Sequence, residues 1–354
     1  MDSTTKTATA TATTTATATT TASATASATA TMRAAVARRF GGPEVVRVEE
    51  MRRPVPKADE LLVRVHASTV SIADHRMRSR DLPEGLGIMI PVALGVFRPR
   101  KPVLGMDIAG VVEEVGDEVE GFAPGDEVVA MLGGDFGGHA EYARVPMSKA
   151  IAHKPANLSW EEAVALVFGG HTALAYLAMV EIGRDSEVLV NGASGAVGTA
   201  AVQLAALRGA RVTAVTSAGN ADLVTSLGAH RVIDYGSADF ARDGSTYDVI
   251  VECVGNAPFE RVEGSLRPGG ALLLVVTGLR GMLRAKRDTR RSGKLVTTSG
   301  ERVSHEDFAE LMRLAESGKF RPVIDRAYDL DEVAEAHAYV DGGHKRGNVV
   351  LRIR

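Results

Sequence analysis

Residues 187–208 read EVLVNGASGAVGTAAVQLAALR, and this stretch decides the fold. Its first part, 187–190, is short, apolar and β-branched, the composition of a buried parallel strand. Gly192, Gly195 and Gly198 follow at G-x-x-G-x-x-G spacing, with Ser194 inside the turn. From Ala196 and Val197 onward, Ala, Val, Gln and Leu have the propensity of a packed helix. Strand, glycine turn and helix in that order form a dinucleotide-binding unit. Backbone approaches a pyrophosphate closely only where side chains are absent, and the helix N-terminus offers free N–H groups and positive dipole to the anion. A glycine turn alone is weak evidence, so its surroundings must carry the weight.

Downstream, strand-like runs recur at 211–216, 231–234, 248–252 and 271–276, the second preceded by a short helix at 221–227 that Gly228 stops. Upstream, Ser159-Trp160-Glu161-Glu162 has capping-box spacing ahead of an apolar run. The Gly169-Gly170-His171-Thr172-Ala173 segment then opens a helix over 174–180. Repeated βα units with short connections require a parallel sheet covered on both faces. The second strand ends in Thr216-Ser217-Ala218-Gly219-Asn220, with no carboxylate. A carboxylate there holds the ribose 2′-hydroxyl of NAD and repels a 2′-phosphate, so NADPH is favoured over NADH.

The region 32–155 reads differently, as short strands (32–39, 45–49, 61–66, 108–115, 127–131, 140–145) divided by Gly/Pro turns, the pattern of a β-rich barrel or sandwich. In 354 residues, 41 Lys and Arg stand against 44 Asp and Glu, a net −3 that gives no global basic field for nucleic acid. Cys253 is the single cysteine, which excludes an intramolecular disulfide and every multi-cysteine zinc site. No apolar run reaches membrane-spanning length. No stable membrane insertion is expected, and the chain reads as soluble and cytoplasmic. Residues 1–31 are nearly all Thr, Ala and Ser, and cannot offset their ordering entropy. They read as a disordered leader or, alternatively, a functional tail, and they lack the apolar region of a secretory signal.

GMDIAGVVEEVG (105–116), FAPGDEV (122–128) and GGHAEY (137–142), in that order and ahead of the glycine turn, resemble the medium-chain dehydrogenase/reductase superfamily. Within it the chain is similar to the zinc-independent quinone oxidoreductase branch. The resemblance covers residues 32–354. It implies a Rossmann-type doubly wound parallel sheet (156–318) plus a GroES-like β-rich catalytic domain (32–155, completed by 319–354), with the site between them. The positions where zinc-dependent members carry ligands fall on Ser71, in SIAD, and Met106, in GMD. Serine is a poor zinc ligand and methionine a worse one, so no zinc is expected. The branch carries Asn-x-x-Asp at SIAD; Asp74 matches and Ser71 replaces the asparagine. The pair either positions a substrate oxygen or caps the next helical turn.

Beside Gly192, Ser194, Gly195, Ala196, Val197, Gly198, Thr216 and Ser217, the resemblance implies further cofactor contacts. Thr172 would lie at the nicotinamide end, Tyr235 near the adenosine phosphate, Val254 and Gly255 beside a ribose, and Asn348 in an approaching loop. Relatives often carry a basic residue where Gly219 stands. The adjacent His171 reads either as a base or as a local hydrogen bond at a helix start. His75 reads as solvent-facing, His66 as structural, and Tyr142 as a packing residue. The resemblance places the apolar segment 82–102 over the mouth of the site, where it would line a greasy pocket; tucked against the barrel or in an oligomer contact are the alternatives. A homodimer is left open. Residues 280–294, with seven basic residues and one acidic, read as a solvated face or as an attraction to anionic lipid or nucleic acid.

Without a metal, reducing a simple ketone lacks its largest electrostatic aid. A conjugated acceptor spreads the charge itself. The expected function is therefore NADPH-dependent hydride transfer to a quinone, conjugated carbonyl or activated alkene, a small apolar acceptor. The rivals are an enoyl-thioester or alcohol/aldehyde oxidoreductase on the same fold, and a non-catalytic NADPH-binding interaction protein.

Overall fold

The computed structural model describes residues 30–89 and 95–354. Of the leader, 1–29 lies outside the described residues, while Thr31 already belongs to a strand, paired with Arg52. β1 (Thr31–Ala37) and β2 (Val46–Arg52) form an antiparallel ribbon. β3 (Glu60–Val70) is longer than its LLVRVH core predicts and runs directly into α1 (Ile72–Ser79). After it come β4 (Asp107–Val115), β5 (Glu127–Met131), β6 (Tyr142–Pro146) and β7 (Ala150–His153).

α2 (Trp160–Val164) starts at the predicted capping box, with the Ser159 hydroxyl accepting from the Glu162 N–H. α3 (Val167–Leu177) begins earlier than expected, and Gly169-Gly170 lie inside it. The reason is packing. A Cβ on Gly169 would overlap the carbonyl oxygen of Ala196, and one on Gly170 would press on Leu311. The pair lets α3 lie close against its neighbours instead of opening the helix.

β8 (Glu187–Asn191), α4 (Ala196–Leu207), β9 (Arg211–Thr216), α5 (Ala221–Ser226), β10 (Ala229–Asp234) and β11 (Tyr247–Glu252) follow the predicted alternation. α6 (Phe259–Val262) and β12 (Leu266–Leu274) come next, then α7 (Leu279–Ser292) and β13 (Leu295–Thr297), a sixth strand too short to predict. The six strands are parallel in the order β10-β9-β8-β11-β12-β13. Successive residues serve opposite faces: Val188, Val190, Val249 and Val251 enter one core, and Leu189, Ile250, Leu272 and Val215 the other. A sheet buried on both faces is thus written as continuous apolar strands.

α8 (His305–Glu316) covers one face, with Phe308, Leu311, Met312 and Ala315 buried. β14 (Ile324–Asp329), α9 (Val333–Asp341) and β15 (Asn348–Arg352) then return to the β-rich part. Its sheet runs β14-β15-β3-β4-β5-β7, with β6 also on β3. One hydrophobic cluster includes Ala67, Ala109 and Val350 of this sheet together with Val188 of β8 and Ala201 of α4. Trp160 of α2 stacks on His66 of β3, centroids 4.5 Å apart. The two halves therefore share a core, and the cleft between them has packed walls. Among the described residues no helix is long and apolar enough to cross a membrane.

Candidate active site

The glycine turn has the geometry its spacing predicts. Gly192 takes φ +80°, a left-handed conformation that favours glycine, and it lies against Val254. A Cβ on Gly198 would overlap the Gly192 carbonyl oxygen, so this third glycine seats α4 against the turn. Over Gly195 the space is open, the nearest atom to a Cβ being 3.6 Å away. Gly195 is the N-cap of α4 and no side chain caps it. Ser194, Ala196 and Val197 surround this uncapped end, whose free N–H groups fit a pyrophosphate.

At the end of β9, Thr216 is buried and its hydroxyl has no hydrogen-bond partner, while Ser217 accepts from Asn220 Nδ2 at 3.0 Å. A side chain at Gly219 would meet open space. Tyr235 is exposed beside this corner, its N–H donating to Thr216 O at 3.1 Å. The neighbouring Asp234 is folded onto its own turn, its Oδ1 accepting from the Gly236 N–H. These residues fit a dinucleotide.

Beyond β11 the chain turns on a group that sequence reasoning missed. Glu252 is fully buried, and its Oε1 accepts the N–H groups of Val254 (2.5 Å) and Gly255 (2.8 Å). Oε2 accepts from Asn191 Nδ2 at 2.9 Å. This carboxylate fixes the loop that carries Val254 and Gly255 to the glycine turn after β8. The only sequence signal was an acidic residue closing an otherwise apolar strand.

The other wall comes from the β-rich half. Ser71 and Asp74 form a complete capping box on α1: the Ser71 hydroxyl donates to Asp74 Oδ2 (2.6 Å), and Oδ1 accepts from the Gly105 N–H (2.8 Å). Both are buried, with their polar atoms committed to each other and to Gly105. Of the two roles considered, the geometry displays the cap. His75 corrects the expectation of a solvent-facing residue. It is held between Asp341 (2.6 Å) and Asp81 (3.3 Å), and it lines the cleft. Beside it Arg76 also lines the cleft, with no hydrogen bond or ion pair among the described residues.

Between these walls lies a cavity of about 430 Å³. Ile72, His75, Arg76 and Leu82 face Val254, Gly255, Val276 and Thr277 across it. Of the apolar segment 82–102, the Leu82–Glu84 end lines the cavity, Val96 and Phe97 are exposed, and 90–94 lie outside the described residues. Glu84 O accepts from the Leu279 N–H at 2.9 Å, which joins this loop to α7 across the cleft.

Several sequence candidates do not line this cavity. The Thr172 hydroxyl donates to Phe168 O within α3. His171 lies edge-on to Phe308, and burial pulls its pKa down to about 4. Asn348 spends its amide on Ala165 O (2.8 Å) and Val323 O (3.1 Å), tying the two halves together. Tyr142 packs beneath the Arg53 guanidinium, 4.2 Å from its ring centre. Most of the basic segment is helix α7, where Arg284 and Arg291 pair with Glu260 and Glu263.

Two further groups are perturbed. Burial raises Asp107 to about 7 although Thr69 and Ser68 hydrogen-bond to it. Burial lowers Lys345 to about 8; its ammonium donates to Gly347 O at 2.5 Å. Gly347 in turn donates to Ser194 O, so the C-terminal return touches the glycine turn. Among the described residues no group of three or more His, Cys, Asp or Glu is gathered as a metal would require.

Residues 57–156 match the family model described as alcohol dehydrogenase GroES-like domain, and 227–351 the one described as zinc-binding dehydrogenase. The chloroplastic quinone-oxidoreductase QR1 of Triphysaria versicolor is 34% identical over 330 residues, covering 88% of this chain and 95% of that one. This chain belongs to the quinone-oxidoreductase family of the medium-chain dehydrogenase/reductase superfamily, in its zinc-independent branch. It is an NAD(P)H-dependent oxidoreductase with a GroES-like domain and a Rossmann-like parallel sheet. The 2-methylene-furan-3-one reductase of Solanum lycopersicum is 32% identical, covering 88% of this chain and 76% of that one. Among solved structures, the quinone oxidoreductase from Coxiella burnetii superposes with a TM-score of 0.81 at 26% identity, covering 92% of this chain and all of that one.

Proposed function

We propose that the protein reduces quinones or enones with NADPH in the cytoplasm. The observation that carries this reading is the cleft: a cavity of mixed polar and apolar lining at the carboxyl ends of β11 and β12, whose Val254 packs on the glycine turn, with no cluster of metal ligands among the described residues. Bound NADPH would supply the hydride. Gly192, Gly195 and Gly198 with the uncapped end of α4 would hold its pyrophosphate, and Ser217, Gly219 and Tyr235 leave room for a 2′-phosphate. Glu252 keeps the Val254–Gly255 wall in place, and Ile72 and Leu82 give the opposite side its apolar surface. The named activities of the relatives support an acceptor whose own conjugation spreads charge.

The test is oxidation of NADPH and NADH followed at 340 nm with a panel of quinones, enones, enoyl thioesters and aldehydes. Turnover of quinones or enones with lower KM for NADPH is the expected result. Activity confined to aldehydes, or higher efficiency with NADH, overturns the corresponding half of the proposal.

A further inference from the structure

Among the described residues, Arg76 is the one basic group lining the cleft that makes no hydrogen bond or ion pair. It stands on α1, a helix locked at its start by the Ser71–Asp74 box and at its side by buried Arg78, which pairs with Asp341 at 2.6 Å. The other basic groups around the cavity are engaged. His75 sits between Asp341 and Asp81, and Glu260 lies 3.4 Å from Arg284 and 3.9 Å from Arg280. Arg76 has only the charge of Asp81 in its neighbourhood, and burial draws its guanidinium below the ordinary value. A desolvated cation with unused donors is costly unless an anion meets it. Arg76 is only partly buried, and it lines the cavity.

The cavity's position says which anion. The sheet reverses its strand order between β8 and β11, and dinucleotide folds bind across the crevice at that point, with the adenosine half over the second strand. The cavity lies on the other side, over β11 and β12. That is where hydride donor and acceptor must meet.

We infer that Arg76 is a catalytic residue of the proposed reduction, its guanidinium binding the oxygen of the acceptor that becomes negative as hydride arrives. This rests on the reading of the protein as a reductase of conjugated carbonyls. Two electrons and a proton would leave NADPH as hydride and form a C–H bond at the β-carbon of an enone or at a ring carbon of a quinone. The C=C π pair shifts, the C=O π pair moves onto oxygen, and NADPH becomes NADP⁺. The resulting enolate or phenolate takes a proton from water. A planar guanidinium, always charged and strong as a donor, suits the oxyanion and supplies the electrostatic stabilisation that zinc gives other members of the superfamily.

The test uses Arg76→Gln and Arg76→Lys. Equilibrium binding of 4-nitrophenolate, followed by its absorbance, reports affinity for an oxyanion without any turnover; nitrobenzene is its uncharged counterpart. Arg76→Gln is expected to weaken 4-nitrophenolate by about 10-fold or more and nitrobenzene less than about twofold, with Arg76→Lys between. NADPH affinity, read by its fluorescence, stays unchanged. With an enone, kcat is expected to fall by about 100-fold, and by less with 1,4-benzoquinone, whose reduced anion is intrinsically more stable. Phenolate binding and kcat both within twofold of wild type overturn the inference, as does a selective loss of NADPH affinity. A wild-type protein that reduces no acceptor overturns the proposed function instead, and the phenolate titration still judges Arg76 as an oxyanion site.

Discussion

Two hollows open at opposite ends of the parallel sheet, and both are rimmed by arginine. At the amino ends of β8, β9 and β10 a hollow of about 330 Å³ is lined by Arg211, Arg231 and Arg267. Each is paired: Arg211 with Glu187 at 3.1 Å, Arg231 with Asp243 and Arg267 with Asp248, both at 2.8 Å. At the carboxyl ends lies the interdomain cavity, where Arg76 is left without a partner among the described residues. The amino-end hollow has its charges satisfied by the fold, so it closes a surface. The carboxyl-end cavity sits beside the Val254 loop that packs on the glycine turn and holds a cation without a partner among the described residues, so it awaits a ligand. Counting charges does not separate the two; asking where each charge is spent does.

Substitutions at each end should break or sharpen this contrast. The largest effect is expected at Gly198, where Gly198→Val drives side-chain atoms into the Gly192 carbonyl. A loss of about 3 kcal/mol or more in denaturant titration, with NADPH binding abolished, is the expected outcome. Retained NADPH affinity would remove the glycine turn from the site. Next comes Glu252→Gln, which keeps one carbonyl oxygen for Val254 and Gly255 but turns an amide N–H₂ toward Asn191 Nδ2. A cost of about 2 kcal/mol and a several-fold rise in the Kd for NADPH are expected.

Lys345 gives a smaller, pH-dependent effect. Its folded-state pKa, about 8, lies below the ordinary 10.5, so between those values the unfolded chain binds more protons. Stability should therefore rise with pH from 8 to 10.5 and level off above it, by about 1–2 kcal/mol. Lys345→Met should lose that slope in thermal melts across the window. Smallest of all is Arg267→Gln in the amino-end hollow. Its half-exposed pair with Asp248 is worth about 0.5 kcal/mol, and both NADPH affinity and kcat should stay unchanged. A drop in either would mean that this hollow too takes part in function.

What could be read from the sequence follows the range of the interaction that each residue serves. Gly192, Gly195 and Gly198 were legible because their partners lie within the same turn. Ser159 and Glu162 were legible for the same reason, as was the single cysteine. Gly169 and Gly170 were misread as a helix start, since what they accommodate is Ala196 O and Leu311, distant in sequence. His75 and Asp341 are 266 positions apart, and only the return of α9 onto α1 brings them together. Glu252 looks like any acidic strand end until Asn191 is seen beside it. Arg76 carries no local signal at all, because its importance lies in lacking a partner that other arginines find.

β15 lies inside the seven-stranded sheet, between β14 and β3, yet it follows every other strand in chain order. A chain emerging from the ribosome can finish the parallel sheet once Thr297 is out, while β3 still shows an open edge. Chain order therefore lets the nucleotide half form before Asn348–Arg352 closes the other half like the last stave of a cask. The Gly347 N–H, just ahead of that strand, donates to Ser194 O, so the closing strand meets the glycine turn. Until then the bare flank of β3 is a template for pairing with other chains, and the interval before closure is when this protein is most exposed to aggregation.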